Sequence, residues 1–281
     1  MTVIECFERA KDHSEARPTR HFSRPTECSV SLVIPAVNEA RNIGWVLQRL
    51  PAWIDEVILV DGESSDDTID VARANRPDLV VLEPPRRGKG AALREGFAAA
   101  TMDYVVMIDA DGSMDPAEIG RFVQELDAGY DVVKGSRFLN GGGSTDLTLF
   151  RSIGNRALLA IFKTMYGGSF TELCYGFFAF RRRSLPAIGL RSDGFEIETE
   201  IVVRSVRAGM GVSEVASHES PRLHGESNLH PIRDGLRVLR TLLAVRFSPV
   251  GTAHEADLPR TLPTFSAVID LTVMEEFALE A

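Results

Sequence analysis

At 281 residues and 44% apolar, the chain can bury a substantial core as one large or two small domains. A net charge of −9 excludes nonspecific nucleic-acid binding as the main task, and three scattered cysteines (Cys6, Cys28, Cys174) exclude a disulfide framework or zinc site, pointing to a reducing cytoplasm. No apolar run approaches the roughly 18 residues of a membrane span, and the polar N-terminus is not a signal peptide, so the chain is expected to be soluble or to lie on a membrane face.

Residues 1–27 show little periodicity and read as a loose arm. A buried strand follows at 30–34, broken by Pro35, and Asn38-Glu39 opens a helix with Ile43, Val46, Leu47 and Leu50 at helical spacing. A second strand at 56–60 ends in Asp61-Gly62; a helix at 68–74 is capped by Ser65 or Asp66. A third strand at 79–82 leads through Gly88-Lys89-Gly90 into a helix ending near Ala100. The apolar run 104–108 is the fourth strand, followed by a helix at 116–128 and a strand at 131–135. This alternation predicts an α/β fold with a mostly parallel sheet and helices on both faces. Residues 139–146 are too glycine-rich to form a packed element. Beyond them come a helix at 151–166, a strand at 175–180, a helix at 195–208 and a short strand at 211–216. The helix at 231–247 carries Ile232, Leu236, Leu239 and Leu243 in one stripe beside Arg233, Arg237 and Arg240. The last thirty or so residues are acidic and proline-punctuated, an appendage to the main fold.

The chemistry concentrates where strands end. Asp109 and Asp111 flank Ala110 just beyond the fourth strand, and Gly112 lets the backbone turn away. Open α/β sheets bind ligands beyond the carboxyl ends of their strands. Two hard oxygen ligands there suit Mg²⁺ or Mn²⁺ bridging a diphosphate; the alternative is an ordinary solvated turn. Asp61 either accepts hydrogen bonds from a base or ribose or caps its own turn. Lys89, between two glycines at a helix start, is placed to meet phosphate with its charge and with backbone N–H groups. GxxxxGK[ST] and GxGxxG are absent, which removes P-loop and dinucleotide chemistry.

IPAVNEA, VDGESSDDT, RRGKGAALREGF, DADGSMDP and GSRF, in this order and spacing, resemble the inverting family 2 glycosyltransferases of GT-A fold. Within them the chain looks most like the polyprenyl-phosphate sugar synthases typified by dolichol-phosphate mannosyltransferase, over roughly residues 28–247. The resemblance implies a nucleotide-sugar-binding half at 28–136, an acceptor-binding half at 137–247, an arm at 1–27 and an acidic tail at 248–281. It implies a donor of GDP-mannose or UDP-glucose type held by Pro35, Asn38, Glu39, Asp61 and Lys89, with Asp109 and Asp111 as the DxD pair on metal and diphosphate. Arg137 and Arg151 resemble the arginines that grip a lipid phosphate, for which a planar guanidinium fork is suited. Residues 222–227 resemble an R-x-x-GES segment that closes over the diphosphate, adding Arg222 and Ser227 to the donor side; His224 either reaches the metal or faces solvent.

Glu196 and Glu198 resemble the segment that supplies a base when the acceptor is a hydroxyl. Two positions apart on a helix they do not share a face, so at most one is the base; both also suit a helix first turn. Two departures stand out: Ser113 where the polyprenyl-phosphate branch has Gln, and Glu63 where Ser is commoner. The expected activity is metal-dependent transfer to a polyprenyl or dolichyl phosphate. A soluble hydroxyl acceptor is the alternative, and a phosphohydrolase on the DADGS motif a remote one, since that motif belongs on a first strand. The Arg/Leu helix either packs on its own domain or lies in a membrane interface.

Overall fold

The computed structural model describes residues 24–145, 149–226 and 231–247. The first half runs β1 (Val30–Ala36), α1 (Ile43–Gln48), β2 (Glu56–Asp61), α2 (Thr68–Asn75), β3 (Val80–Leu82), α3 (Lys89–Ala99) and β4 (Tyr104–Met107). Then come α4 (Ile119–Asp127), β5 (Val132–Ser136), β6 (Gly143–Ser144), α5 (Leu149–Tyr166) and β7 (Phe178–Arg181). The chain continues through α6 (Leu185–Ile188), α7 (Ile197–Arg207), β8 (Val212–Ala216), β9 (His218–Glu219) and α8 (Pro231–Phe247). Among the described residues no helix is long and apolar enough to cross a membrane.

Seven strands form one sheet in the order β3-β2-β1-β4-β7-β5-β8, and β6 pairs with β9 separately. Every pairing in the large sheet is parallel except those of β7, which runs antiparallel to both β4 and β5. The central strands are apolar on both sides because helices cover both faces. Alternation along β1 sends Leu32 and Ile34 into one core with Leu59, Val106, Phe122 and Phe177. Val33 goes to the other, with Ile58, Met107, Phe178, Phe180 and Ile201. Phe122 and Phe177 stack at 4.1 Å between centroids, joining α4 to the sheet. A 3₁₀ turn at Pro116–Glu118 leads into α4, and it is this turn that Asp115 caps: its carboxylate accepts from Ala117 N at 2.9 Å, with Pro116 at the first position.

Four expectations change. Pro35 does not break β1. Val33 O accepts from Ile108 N on the β4 side and Ala36 O from Gly62 N on the β2 side, so position 35 faces β4, where the ladder has already ended at Val33–Met107. The missing N–H costs nothing there. The glycine-rich loop is partly packed: Gly143 and Ser144 pair with His218 and Glu219. The strand expected at 175–180 enters the ladder only at Phe178. The end of the expected arm is tied down, with Arg24 on Asp55 at 2.8 Å and Thr26 on Asp127 at 3.0 Å.

α7 buries ionised groups at its start. Glu200 Oε1 accepts from Arg204 Nε at 2.6 Å, and its Oε2 accepts from Arg191 N at 3.0 Å and Ser192 N at 2.7 Å. Replacing Glu200 by Ala strands a buried guanidinium and two backbone N–H groups, with an expected loss of about 3–5 kcal/mol. The loss should be read as a lower urea midpoint at unchanged slope, and Glu200→Met combined with Arg204→Leu should recover most of it.

Candidate active site

The parallel strands β2, β1 and β4 are neighbours, so their carboxyl ends share one edge. The loops there are knitted by side chains. Asn38 sits at φ 57°, a left-handed conformation that Asn tolerates. Its N–H donates to Ser64 Oγ at 2.8 Å and its Oδ1 accepts from Ser65 N at 2.8 Å, so the loops after β1 and β2 hold each other. Asp61 is buried and accepts from Ser64 N at 2.9 Å and Ser64 Oγ at 2.5 Å. Its turn-capping role is therefore realised. Glu39 N donates to Thr68 Oγ1 at 2.8 Å, and the Glu39 carboxylate accepts from Asn42 Nδ2 and pairs with Arg222. Pro35 lies in β1, one residue before the end of the strand.

Asp109 and Asp111 leave β4 on the same edge. Lys89 Nζ lies 2.6 Å from Asp109 Oδ1 and 2.8 Å from Glu198 Oε1, so the ammonium sits between two carboxylates from different parts of the chain. A Cβ on Gly176 would stand 2.7 Å from Lys89 Nζ, 2.9 Å from Asp109 Oδ2 and 3.1 Å from Glu198 Oε1. A side chain at 176 would displace the tips of this cluster, which glycine leaves in place. Burial works against the charge on Lys89, yet the Asp109 and Glu198 carboxylates outweigh it and raise its pKa. Asp109 is pushed up to about 6: burial raises it, Lys89 opposes, and the Asp111 and Glu198 carboxylates raise it further.

The start of α3 differs from expectation. Gly90 N and Ala91 N donate to Asp193 O at 2.9 and 3.2 Å, so these N–H groups are spent on a loop and not offered to phosphate. Side chains at Gly88 or Gly90 would collide with the backbone of residues 192 and 193, which explains both glycines as a close approach. Lys89 retains the expected place by its charge, not by a helix N-terminus.

A strap of residues 217–224 crosses the β4 loop. Ser220 N donates to Ser113 O at 2.8 Å and Leu223 N to Asp111 O at 3.2 Å. Arg222 pairs with Glu39 and lies 3.7 Å from Asp111 Oδ2, while Leu223 packs on Gly112, whose φ is 78°. Ser113 thus contributes its backbone, donating to Asp111 Oδ1 at 3.0 Å. His224 is exposed; its ring lies 3.3 Å from Arg41 and its carbonyl accepts from Asn42 at 3.0 Å.

On the acceptor side the two glutamates separate. Glu198 faces Lys89, whereas Glu196 precedes α7, accepts from Gly194 N at 3.3 Å and keeps a buried Oε2 without a hydrogen-bond partner among the described residues. Arg137 has no free fork. Its Nε donates to Glu172 at 2.9 Å, Nη1 to Glu219 at 2.7 Å and Nη2 to Cys174 O at 3.0 Å, with Glu172 also reached by Nη2 and by the Arg137 backbone N–H. These contacts form an internal lock at the residue expected to grip phosphate. The Arg151 side chain and Ser227 lie outside the described residues. Sequence reading passed over Glu172, Gly176, Glu219 and Asn42: the first two showed only as a single polar and a single small residue in the largely apolar stretch 170–180, and the last two sit among polar neighbours with no local signal.

The donor set at Asp109 and Asp111 is all oxygen, with excess negative charge, and suits a hard divalent cation. Among the described residues no cluster of three or more His, Cys, Asp or Glu could hold such an ion unaided, so the remaining positions fall to ligand oxygens and water.

The family model described as Glycosyl transferase family 2 matches residues 31–189, more than half of the chain. Glycosyltransferase AglJ of Haloferax volcanii is 34% identical over 217 residues, covering 75% of this chain and 70% of that protein. An uncharacterised glycosyltransferase of Mycobacterium tuberculosis is 33% identical over 203 residues, covering 72% and 89%. Among solved structures, glucosyl-3-phosphoglycerate synthase from Mycobacterium tuberculosis, in complex with Mn²⁺, uridine diphosphate and glucosyl-3-phosphoglycerate, aligns with a TM-score of 0.64 at 26% identity, covering 79% of this chain and 81% of that one. Motif order, sheet topology and these likenesses agree: the chain is a GT-A-fold transferase and belongs to glycosyltransferase family 2.

Proposed function

We propose that this enzyme moves a hexosyl unit, with inversion, from a nucleoside diphosphate sugar to the phosphate of a polyprenyl-type lipid. The carrying observation is the carboxylate edge, Asp109 and Asp111 beside the Lys89 ammonium, 2.6 Å from Asp109. The nucleoside would lie against the loops of Asn38, Glu39 and Asp61, with Arg222 and the strap over the diphosphate. Asp109 and Asp111 would hold Mg²⁺ or Mn²⁺, which supplies Lewis-acid stabilisation of the departing diphosphate. The crystal complex of glucosyl-3-phosphoglycerate synthase with Mn²⁺ and uridine diphosphate supports this assignment.

In the transfer, an acceptor phosphate oxygen bonds to the anomeric carbon from the face opposite the departing nucleoside diphosphate. The bond from that carbon to the β-phosphate oxygen breaks, and the nucleoside diphosphate leaves with the electron pair. Lys89 and Arg222 are the cations placed to balance that charge. A phosphate acceptor is already ionised and needs no proton removed, which fits a Glu198 whose Oε1 is occupied by Lys89.

A second reading has its own observation. Glu196 keeps a buried oxygen without a partner, as a base for a hydroxyl acceptor would, and glucosyl-3-phosphoglycerate synthase is crystallised with uridine-diphosphate-glucose and phosphoglyceric acid.

Asp111→Ala should abolish metal-dependent donor binding in calorimetry and lower transfer by about 10²–10³-fold, since several kcal/mol of charge stabilisation go with the ion. Unchanged metal dependence would sink the site assignment. Glu196→Gln should leave transfer to a polyprenyl phosphate within about tenfold of the parent; a loss of about 10²–10⁴-fold, the size of a missing general base, would move the acceptor to a hydroxyl compound. Gly176→Ala should press on the Lys89 cluster and cut transfer at least about tenfold, as small misplacements at a reacting centre do, with the far-ultraviolet spectrum unchanged.

A further inference from the structure

α8 has two apolar faces. Val238, Leu242 and Val245 are buried against the body, on the side where α8 meets α5 and α7. On the outer side Leu236 is 62% exposed, Leu243 48% and Phe247 86%. With Leu239, Arg240 and Ala244 they line a shallow groove along the helix. The spacing 236, 239, 240, 243, 247 repeats every turn, so these side chains form a continuous stripe. A monomeric protein rarely leaves such a row to water.

Charge decides what covers it. In a chain of net −9, α8 carries Arg233, Arg237, Arg240 and Arg246 against a single acid, Asp234, which is buried and bonded to Arg237. Arg233, Arg240 and Arg246 are exposed. An isologous contact with a second copy would bring the same arginines face to face. Leucine and phenylalanine flanked by arginine is the pattern of a helix lying in a lipid interface, apolar side chains among the acyl chains and guanidinium groups at anionic headgroups.

We infer that the outer face of α8 is a docking surface for a bilayer with anionic headgroups. The inference rests on the lipid-acceptor reading for its purpose, while its geometry stands apart from it. The Tyr166 hydroxyl donates to Leu242 O and Arg207 to Val245 O, so the last turns of α8 lie beside the last turns of α5 and α7. α8 packs on α7, whose first turn carries Glu198, so contact along α8 would bring the body that holds the site against the interface in which a lipid phosphate sits.

The test is flotation of the full chain with phosphatidylcholine vesicles, with and without phosphatidylglycerol and free of polyprenyl phosphate. Flotation with the anionic vesicles is expected, and Leu236→Ser, Leu243→Ser and Phe247→Ser together should lower partitioning at least about tenfold with donor binding unchanged. Arg233→Gln, Arg240→Gln and Arg246→Gln together should remove the preference for phosphatidylglycerol. No flotation, or flotation equal in the serine variant, overturns the inference. So does a parent dimer that the serine variant turns into a monomer in sedimentation, which assigns the face to a second copy. Failure of the acceptor reading alone would leave the vesicle result standing.

Discussion

The site depends on one buried ammonium. Lys89 comes from the first turn of α3, Asp109 from the end of β4 and Glu198 from the first turn of α7, and they meet within 2.6–2.8 Å. Taking three charges out of water is costly, and that cost is recovered only when all three groups are in place. The cluster therefore couples the first half of the chain to the second more specifically than apolar packing does. Its surroundings are fitted to it: the Gly88 and Gly90 backbone lies against residues 192 and 193, and Gly176 leaves the space the ammonium fills. Glu200, by holding Arg191 N and Ser192 N, fixes the loop against which α3 begins. A stability element and a site element are the same structure here.

What the sequence made legible is what local rules govern. Strands β1, β2 and β4 announce themselves as β-branched runs, and the helices between them by apolar spacing, because periodicity is set within a few residues. The convergence of Asp61, Asp109 and Asp111 on one edge followed from parallel alternation alone. What stayed hidden depends on partners far along the chain. Arg137 had the right residue type for a phosphate, but nothing near it in sequence revealed Glu172 and Glu219, 35 and 82 positions away. Gly143 and Ser144 look unstructured until His218 and Glu219 arrive beside them. The N–H groups after Lys89 looked free for a ligand, and a carbonyl from Asp193 takes them.

The strap has a mixed attachment that bears on its role. Most of its hold on the β4 loop is backbone to backbone, at Ser220–Ser113 and Leu223–Asp111, and so is insensitive to side-chain charge. Arg222 is different: it bridges from Glu39, in the loop after β1, toward Asp111, in the loop after β4. Under the proposed function a guanidinium in that position would already stand where a diphosphate needs a cation, so ligand binding would require a change of partner and not a long movement.

The direction of β7 explains why the second half of the chain reaches the site at all. The parallel strands β1, β2 and β4 deliver their last residues to the functional edge. A strand parallel to them would begin at the opposite edge, leaving its preceding residues remote from the chemistry. β7 instead pairs antiparallel, Phe178 beside Met107 and Arg181 beside Tyr104, so the chain enters it from the functional edge. Residues 172–177 must then lie at that edge. Gly176 falls against Lys89 and Asp109, the Cys174 carbonyl against Arg137, and Glu172 completes the arginine lock. The one reversed strand is thus the topological device by which residues 172–177 supply walls to a site whose aspartates follow β4.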